Sequence, residues 1–195
     1  MKKAPLFFLL LLLGGMVASC DQPRQQAAYE NEAASDEPQK LVDKDYPGFQ
    51  GELYKVVENY LLVKDALVES DSVAVRDAAD GLRRELVDSS IDSLDESQQE
   101  QWLDIKEKLD GLAEQMAGTD NLEEQRTAFS QLSQELSAAV KEFHLPEGET
   151  LYQQYCPMAF DNEGAFWLSS NEKIRNPYFG DQMLECGRVD ETLTY

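Results

Sequence analysis

Histidine is nearly absent from this chain: among 195 residues there is one, His144. That excludes every site needing two imidazoles, including the zincin helix, the three-histidine zinc centre and the two-histidine iron triad. Basic residues are scarce as well, 17 Lys and Arg against 38 Asp and Glu, for a formal charge of −21. A surface this acidic repels phosphate backbones, so a nucleic-acid partner is excluded. No nucleophile elbow, phosphate-cradling glycine loop or dinucleotide fingerprint occurs, and the chain reads as a non-enzyme. Cysteine occurs three times, at Cys20, Cys156 and Cys186. Long apolar runs are also missing, apart from one at the beginning of the chain.

That run, Leu6 to Leu13, follows Lys2 and Lys3 and gives way to Val17-Ala18-Ser19-Cys20. A basic start, a short apolar core and small residues before a cleavage point mark an export signal over residues 1–19. The stretch falls short of the roughly 20 residues that span a bilayer. Val17 to Cys20 resembles the lipobox of bacterial lipoproteins, whose cysteine is acylated, by palmitate among other chains, and becomes the new N-terminus. The resemblance implies a lipid anchor on Cys20, a membrane as partner and a place in the cell envelope, on the periplasmic face or at the outer membrane. Residues 20–46 are rich in Gln, Glu, Ala, Ser and Asp, contain Pro23 and Pro38, and have little apolar surface to offset ordering. They read as a disordered tether.

Residues 47–195 read as one domain in two parts. The periodicity predicts a mainly α fold, an antiparallel four-helix bundle over 47–145. The first helix runs from about Leu53 to Val68 with a stripe of Leu53, Val57, Tyr60, Lys64 and Leu67. Ser70 or Asp71 caps the second, whose stripe is Val75, Ala79, Leu82 and Leu86. Asp95 begins the third, lined by Trp102, Ile105, Leu109, Leu112 and Met116 and closed by Gly118. Asp120, with Glu123 three residues on, caps the fourth, lined by Leu122, Phe129, Leu132, Leu136, Val140 and Phe143. None of these stripes holds the carboxylate and histidine pattern of a di-iron bundle. Pro146 and Gly148 then break the pattern. Residues 146–195 form an aromatic segment punctuated by turn formers, which predicts irregular loops or short strands.

That segment holds four sulfur residues, in Cys156-Pro157-Met158 and Met183-Leu184-Glu185-Cys186. Residues i and i+2 of an extended chain share a face, so Cys156 and Met158 converge if the strand continues through them. Residues i and i+3 of a helical turn are neighbours, so Met183 and Cys186 converge likewise. Two thiolates and two thioethers select Cu(I), and thiolates alone also attract Zn(II). The bland reading is a disulfide between Cys156 and Cys186, closing a loop of about 30 residues and worth roughly 3–4 kcal/mol in the chain-entropy model. Both readings stand on spacing alone. His144 offers a possible nitrogen ligand, although a single histidine at a helix end is more often a cap.

Residues 152–189 resemble the C-terminal signature of an uncharacterised bacterial domain of unknown function. The matching pieces are Cys156-Pro157-Met158-Ala159, Gly164 to Ser169 around Trp167-Leu168-Ser169, Ile174 to Gly180 around Asn176-Pro177-Tyr178, and Met183 to Gly187. Tyr60 to Val68 and Gln125-Arg126 through Phe129 to Leu132-Ser133 match as well. That family occurs in Bacteroidetes-type lipoproteins. It is also found fused to periplasmic adaptors of copper/silver-type heavy-metal efflux pumps and to heavy-metal-associated domains. The resemblance implies a soft-metal role, with Cys156, Met158, Met183 and Cys186 as ligands, Cu(I) as the ion and an efflux adaptor as partner. The competing expectation is a disulfide-stapled interaction domain without metal. Tyr155, Trp167, Asn176 and Tyr178 are expected to shape the loop.

Overall fold

The computed structural model describes residues 44–195, so the export signal, Cys20 and most of the expected tether lie outside the described residues. Four long helices come first: α1, Gly48–Val68; α2, Ser72–Asp88; α3, Glu96–Ala117; α4, Leu122–Phe143. Three strands follow: β1, Thr150–Cys156; β2, Ala165–Ser169; β3, Arg188–Thr194. The expected mainly α architecture is present, and the C-terminal segment is an antiparallel sheet in the order β2-β1-β3.

The predicted stripes are the core. Leu53, Val57, Tyr60 and Leu67 of α1, Val75, Ala79, Leu82 and Leu86 of α2, and Phe129, Leu132, Leu136 and Val140 of α4 are all buried. Each large apolar side chain so placed contributes about 1.5–3 kcal/mol relative to exposure. Helix α1 is buried on more of its circumference than a single stripe requires, because Val56, Leu61, Val63 and Val68 are enclosed too. It packs on α2, on α4 and on the turn at Gly180–Gln182. Lys64, the polar member of its stripe, is buried and pairs with Asp65 at 2.6 Å.

The caps refine the expected boundaries. Helix α1 begins five residues before Leu53, at Gly48. Asp71 caps α2, its carboxylate accepting from the Val73 and Ala74 N–H groups. Asp95 forms a reciprocal capping box with Gln98. At α4 the cap is Asn121, which accepts from the Glu123 N–H, and not Asp120. Asp120 is instead drawn into an ion pair with Arg76 at 2.5 Å. Gly118 ends α3 with right-handed backbone (φ −84°), so its role is to end the helix without a left-handed turn.

The sheet is fastened to the bundle by buried polar groups. The Tyr60 hydroxyl accepts from the Leu168 N–H of β2 at 3.0 Å and donates to Ser133 Oγ of α4 at 2.7 Å. Ser133 in turn donates to the Phe129 carbonyl. The Tyr60 and Ser133 hydroxyls and the Leu168 N–H are thus all satisfied in a buried setting, where an orphan would be costly. At the other end of the sheet, Lys44 and Tyr46 both hydrogen-bond Glu149. Ordered structure therefore reaches three residues into the stretch expected to be tether.

Candidate sulfur site

Strand β1 places Cys156 at its last position, fully buried. Opposite it in register is Ala165, and opposite Gln154 is Trp167. Alternation along an antiparallel pair puts Gln154, Cys156, Ala165 and Trp167 on one face. Cys186 reaches the same place from the segment before β3, and its Sγ lies 2.9 Å from Cys156 Sγ. Both thiols are free, Cys156 buried and Cys186 partly exposed. Hydrogen bonding to Cys156, with burial and its charge adding, pushes the Cys186 thiol up to about 11.

A hydrogen-bond frame, independent of any sulfur–sulfur bond, holds Cys186 in place. Asn176, fully buried, donates from Nδ2 to the Cys186 carbonyl at 2.7 Å and accepts the Tyr178 N–H on Oδ1 at 2.8 Å. Its backbone N–H binds the Leu184 carbonyl, and the Cys186 N–H returns to the Met183 carbonyl, closing a tight turn. Gly187 follows with φ +148°. A Cβ there would lie 3.0 Å from the Tyr155 carbonyl and 3.1 Å from the Trp167 ring, so the backbone can approach β1 only without a side chain.

The frame is itself pinned to the bundle. Arg126 of α4, buried, donates from Nε to the Pro177 carbonyl at 3.1 Å and from Nη2 to Ser70 Oγ at 3.0 Å. Tyr178 packs between Trp167, Phe160 and Phe129, and its hydroxyl donates to the Phe166 carbonyl at 2.6 Å. Burial holds this phenol well above its ordinary pKa, so it stays a donor. Gln154 closes the adjacent loop, donating from Nε2 to the carbonyls of Asn171, Glu172 and Lys173. Of the four residues expected to shape the loop, Asn176 and Tyr178 make the hydrogen bonds above, Trp167 packs on Tyr178, and Tyr155 lies against Gly164 and under Arg188. Arg126, Gly187 and Gln154 carry as much of the framework, and no spacing rule in the sequence marks them.

The four sulfur residues do not all converge as expected. The strand ends at Cys156, and Met158 has right-handed backbone (φ −96°, ψ −8°) leading into a turn with left-handed Phe160, Asp161 and Asn162. The extended i, i+2 relation with Cys156 is therefore absent, and Met158 is 47% exposed. The reason is local: Gly164 must reverse the chain into β2 within a few residues, pressed against the Tyr155 ring. Met183 and Cys186 do share one turn. His144 caps α4 with φ 62° and lies beside Tyr195. It sits at the Thr150 end of β1, about 20 Å from Cys156 at about 3.3 Å per residue. It is not part of the sulfur site. Among the described residues no group of three or more His, Cys, Asp or Glu side chains is placed to hold a metal ion. No described helix is long and apolar enough to cross a membrane.

No curated protein and no solved structure matches the chain. Residues 56–148 match a family model, a stretch that begins within α1 and stops just before β1 and its cysteine. The helical part of this chain is accordingly similar to the family described as Protein of unknown function (DUF3347).

Proposed function

We propose that this protein is a lipid-anchored envelope module that binds a soft metal ion, Cu(I), between Cys156 and Cys186, with Met183 as a thioether ligand from the same turn. The observation that carries the reading is the pair of free thiols held 2.9 Å apart by a backbone frame centred on Asn176. A frame that needs no bond between the sulfurs leaves them free to part, as they must to admit an ion between them. Two thiolates and a thioether suit Cu(I) better than any harder ion. The heavy-metal company of the family that residues 152–189 resemble supports a buffering or handover role beside an efflux adaptor. Cys20, after its lipobox-like sequence, supplies the anchor, and acyl chains contribute about 0.8 kcal/mol for each buried methylene. Met158 is left as an accessory thioether at the rim. No catalytic step is assigned to the protein.

A second reading is favoured by the burial of Cys156 and by the lack of a third His, Cys, Asp or Glu ligand among the described residues. In it the two cysteines form a disulfide that staples the sheet, and the domain serves as an interaction module in the envelope. A Cu(I) titration of the reduced full chain, competed against a chromogenic chelator, decides between them. One tight equivalent, lost in Cys156→Ser and in Cys186→Ser with helical content retained, is expected for the metal module. Absence of binding, with the two cysteines joined in protein taken from the envelope, overturns it in favour of the staple.

A further inference from the structure

The two thiols are unequal in a way that the metal reading does not use. Cys156 is fully buried at the end of β1, opposite Ala165 and on the same face as Trp167, so a reagent from solvent does not reach its sulfur in the folded chain. Cys186 is partly exposed and lies on the tight turn closed by its own N–H to the Met183 carbonyl. Cys186 is therefore the more accessible member of a pair whose sulfurs lie 2.9 Å apart. Thiol–disulfide exchange requires an approach to one sulfur and a second thiol within reach of that sulfur. This arrangement provides one of each.

We propose that Cys186 is a site of thiol–disulfide exchange with small external disulfides, and that Cys156 is the thiol that resolves the mixed disulfide. In the first step the Cys186 sulfur attacks an external disulfide, forming a bond to one half and expelling the other, which leaves as a thiol with the Cys186 proton. In the second, Cys156 attacks the Cys186 sulfur, expels the remaining half as a thiol with its own proton, and closes the Cys156–Cys186 bond. The pair loses two electrons and the external disulfide gains them. The reverse begins when a reducing thiol attacks Cys186, the accessible end. Where the metal reading holds, oxidation takes both thiolates from the ion; that consequence alone rests on the reading above.

The frame makes the exchange local. Asn176 fixes the Cys186 carbonyl and Gly187 fixes the approach to β1, and neither bond involves sulfur.

The test uses the full chain, reduced and freed of metal with a chelator. Less than one equivalent of N-ethylmaleimide, followed by peptide mapping, should label Cys186 about tenfold more than Cys156, as expected for an accessible against a buried thiol. Cys20 lies on its own peptide and is counted separately. Oxidised glutathione should then convert wild type to the Cys156–Cys186 disulfide without a lasting adduct. Cys156→Ser should stop at a glutathione adduct on Cys186, and Cys186→Ser should leave Cys156 unmodified until denaturant is added. Equal labelling of the two cysteines in wild type overturns the proposal, as does an adduct on Cys156 in folded Cys186→Ser. If circular dichroism shows that a variant does not fold, the wild-type labelling ratio decides by itself. Exchange through Cys186 without Cu(I) binding overturns only the metal reading, and Cu(I) binding without preference for Cys186 overturns only this one.

Discussion

Replacing Asn176 by alanine should both destabilise the fold and separate the two thiols. The side chain is fully buried and makes two hydrogen bonds, to the Cys186 carbonyl at 2.7 Å and from the Tyr178 N–H at 2.8 Å. Alanine leaves a carbonyl and an N–H without partners in a dry site, and each such orphan costs about 1–3 kcal/mol. Partial relaxation and water entry reduce the sum, so a loss of about 2–4 kcal/mol is expected, a large part of the roughly 5–15 kcal/mol of a typical domain. Urea denaturation of the reduced protein, followed by circular dichroism, measures it as a lower midpoint at unchanged slope. The second effect is on proximity. With the Cys186 carbonyl released, the reduced turn gains freedom that the disulfide removes, and the effective concentration of the pair against glutathione should fall about tenfold, or 1.4 kcal/mol. A stability change below about 0.5 kcal/mol, the range of ordinary surface substitutions, would refute the role given to Asn176. So would an unchanged effective concentration in a variant that has lost stability.

Tyr60→Phe removes the acceptor of the Leu168 N–H and should cost about 1–3 kcal/mol, while in the double variant with Ser133→Ala the losses should fall short of additive. Chemical denaturation of the four-member cycle measures the coupling, and strict additivity would show that the hydroxyls do not act together. Gly180→Ala should destabilise by more than about 1 kcal/mol, because φ is +54° and a Cβ would lie 2.3 Å from Ser70 Oγ and 2.9 Å from the Val68 carbonyl; thermal unfolding at wild-type temperature would refute it. Burial raises the pKa of Glu149, but the hydrogen bonds from Lys44 and Tyr46 outweigh it and hold the carboxyl below its ordinary range. A depressed folded pKa contributes stability above the unfolded value that is lost as pH falls through the folded one. The difference in unfolding free energy between wild type and Glu149→Gln, measured by urea denaturation at a series of pH values, should therefore shrink on acidification below the usual carboxylate range.

The helices were legible because their information is periodic and local. Val75, Ala79, Leu82 and Leu86 step around one face, and the structure buries all four. Asp95 starts α3 as the sequence reads, and Gln98 completes the cap reciprocally. The fourth cap was misplaced by one residue because Asp120 has a long-range competitor, Arg76, that no local pattern reveals. The sulfur site was legible as a pair of cysteines but not as a geometry. Convergence of Met158 with Cys156 presumed an extended chain through Pro157, and the reversal into β2 cancels it. Arg126 stands in a stretch that matches the resembled family, but its contact with Pro177 spans 51 positions and no local pattern shows it. Buried polar links of this kind depend on two distant segments meeting, and neither segment alone carries the signal.

Strand β1 has a different character at each end. At Thr150 its neighbours are Glu149, held by Lys44 and Tyr46, and the last residue, Tyr195; at Cys156 they are the two sulfurs. The chain preceding Lys44 therefore joins the folded region at one pole of the sheet, and the thiols occupy the other, about 20 Å away over the six steps from Thr150 to Cys156 at about 3.3 Å each. On the anchored reading proposed above, the thiols therefore sit at the opposite end of β1 from the end at which the anchored segment enters, so a reagent meets them without first passing the anchor.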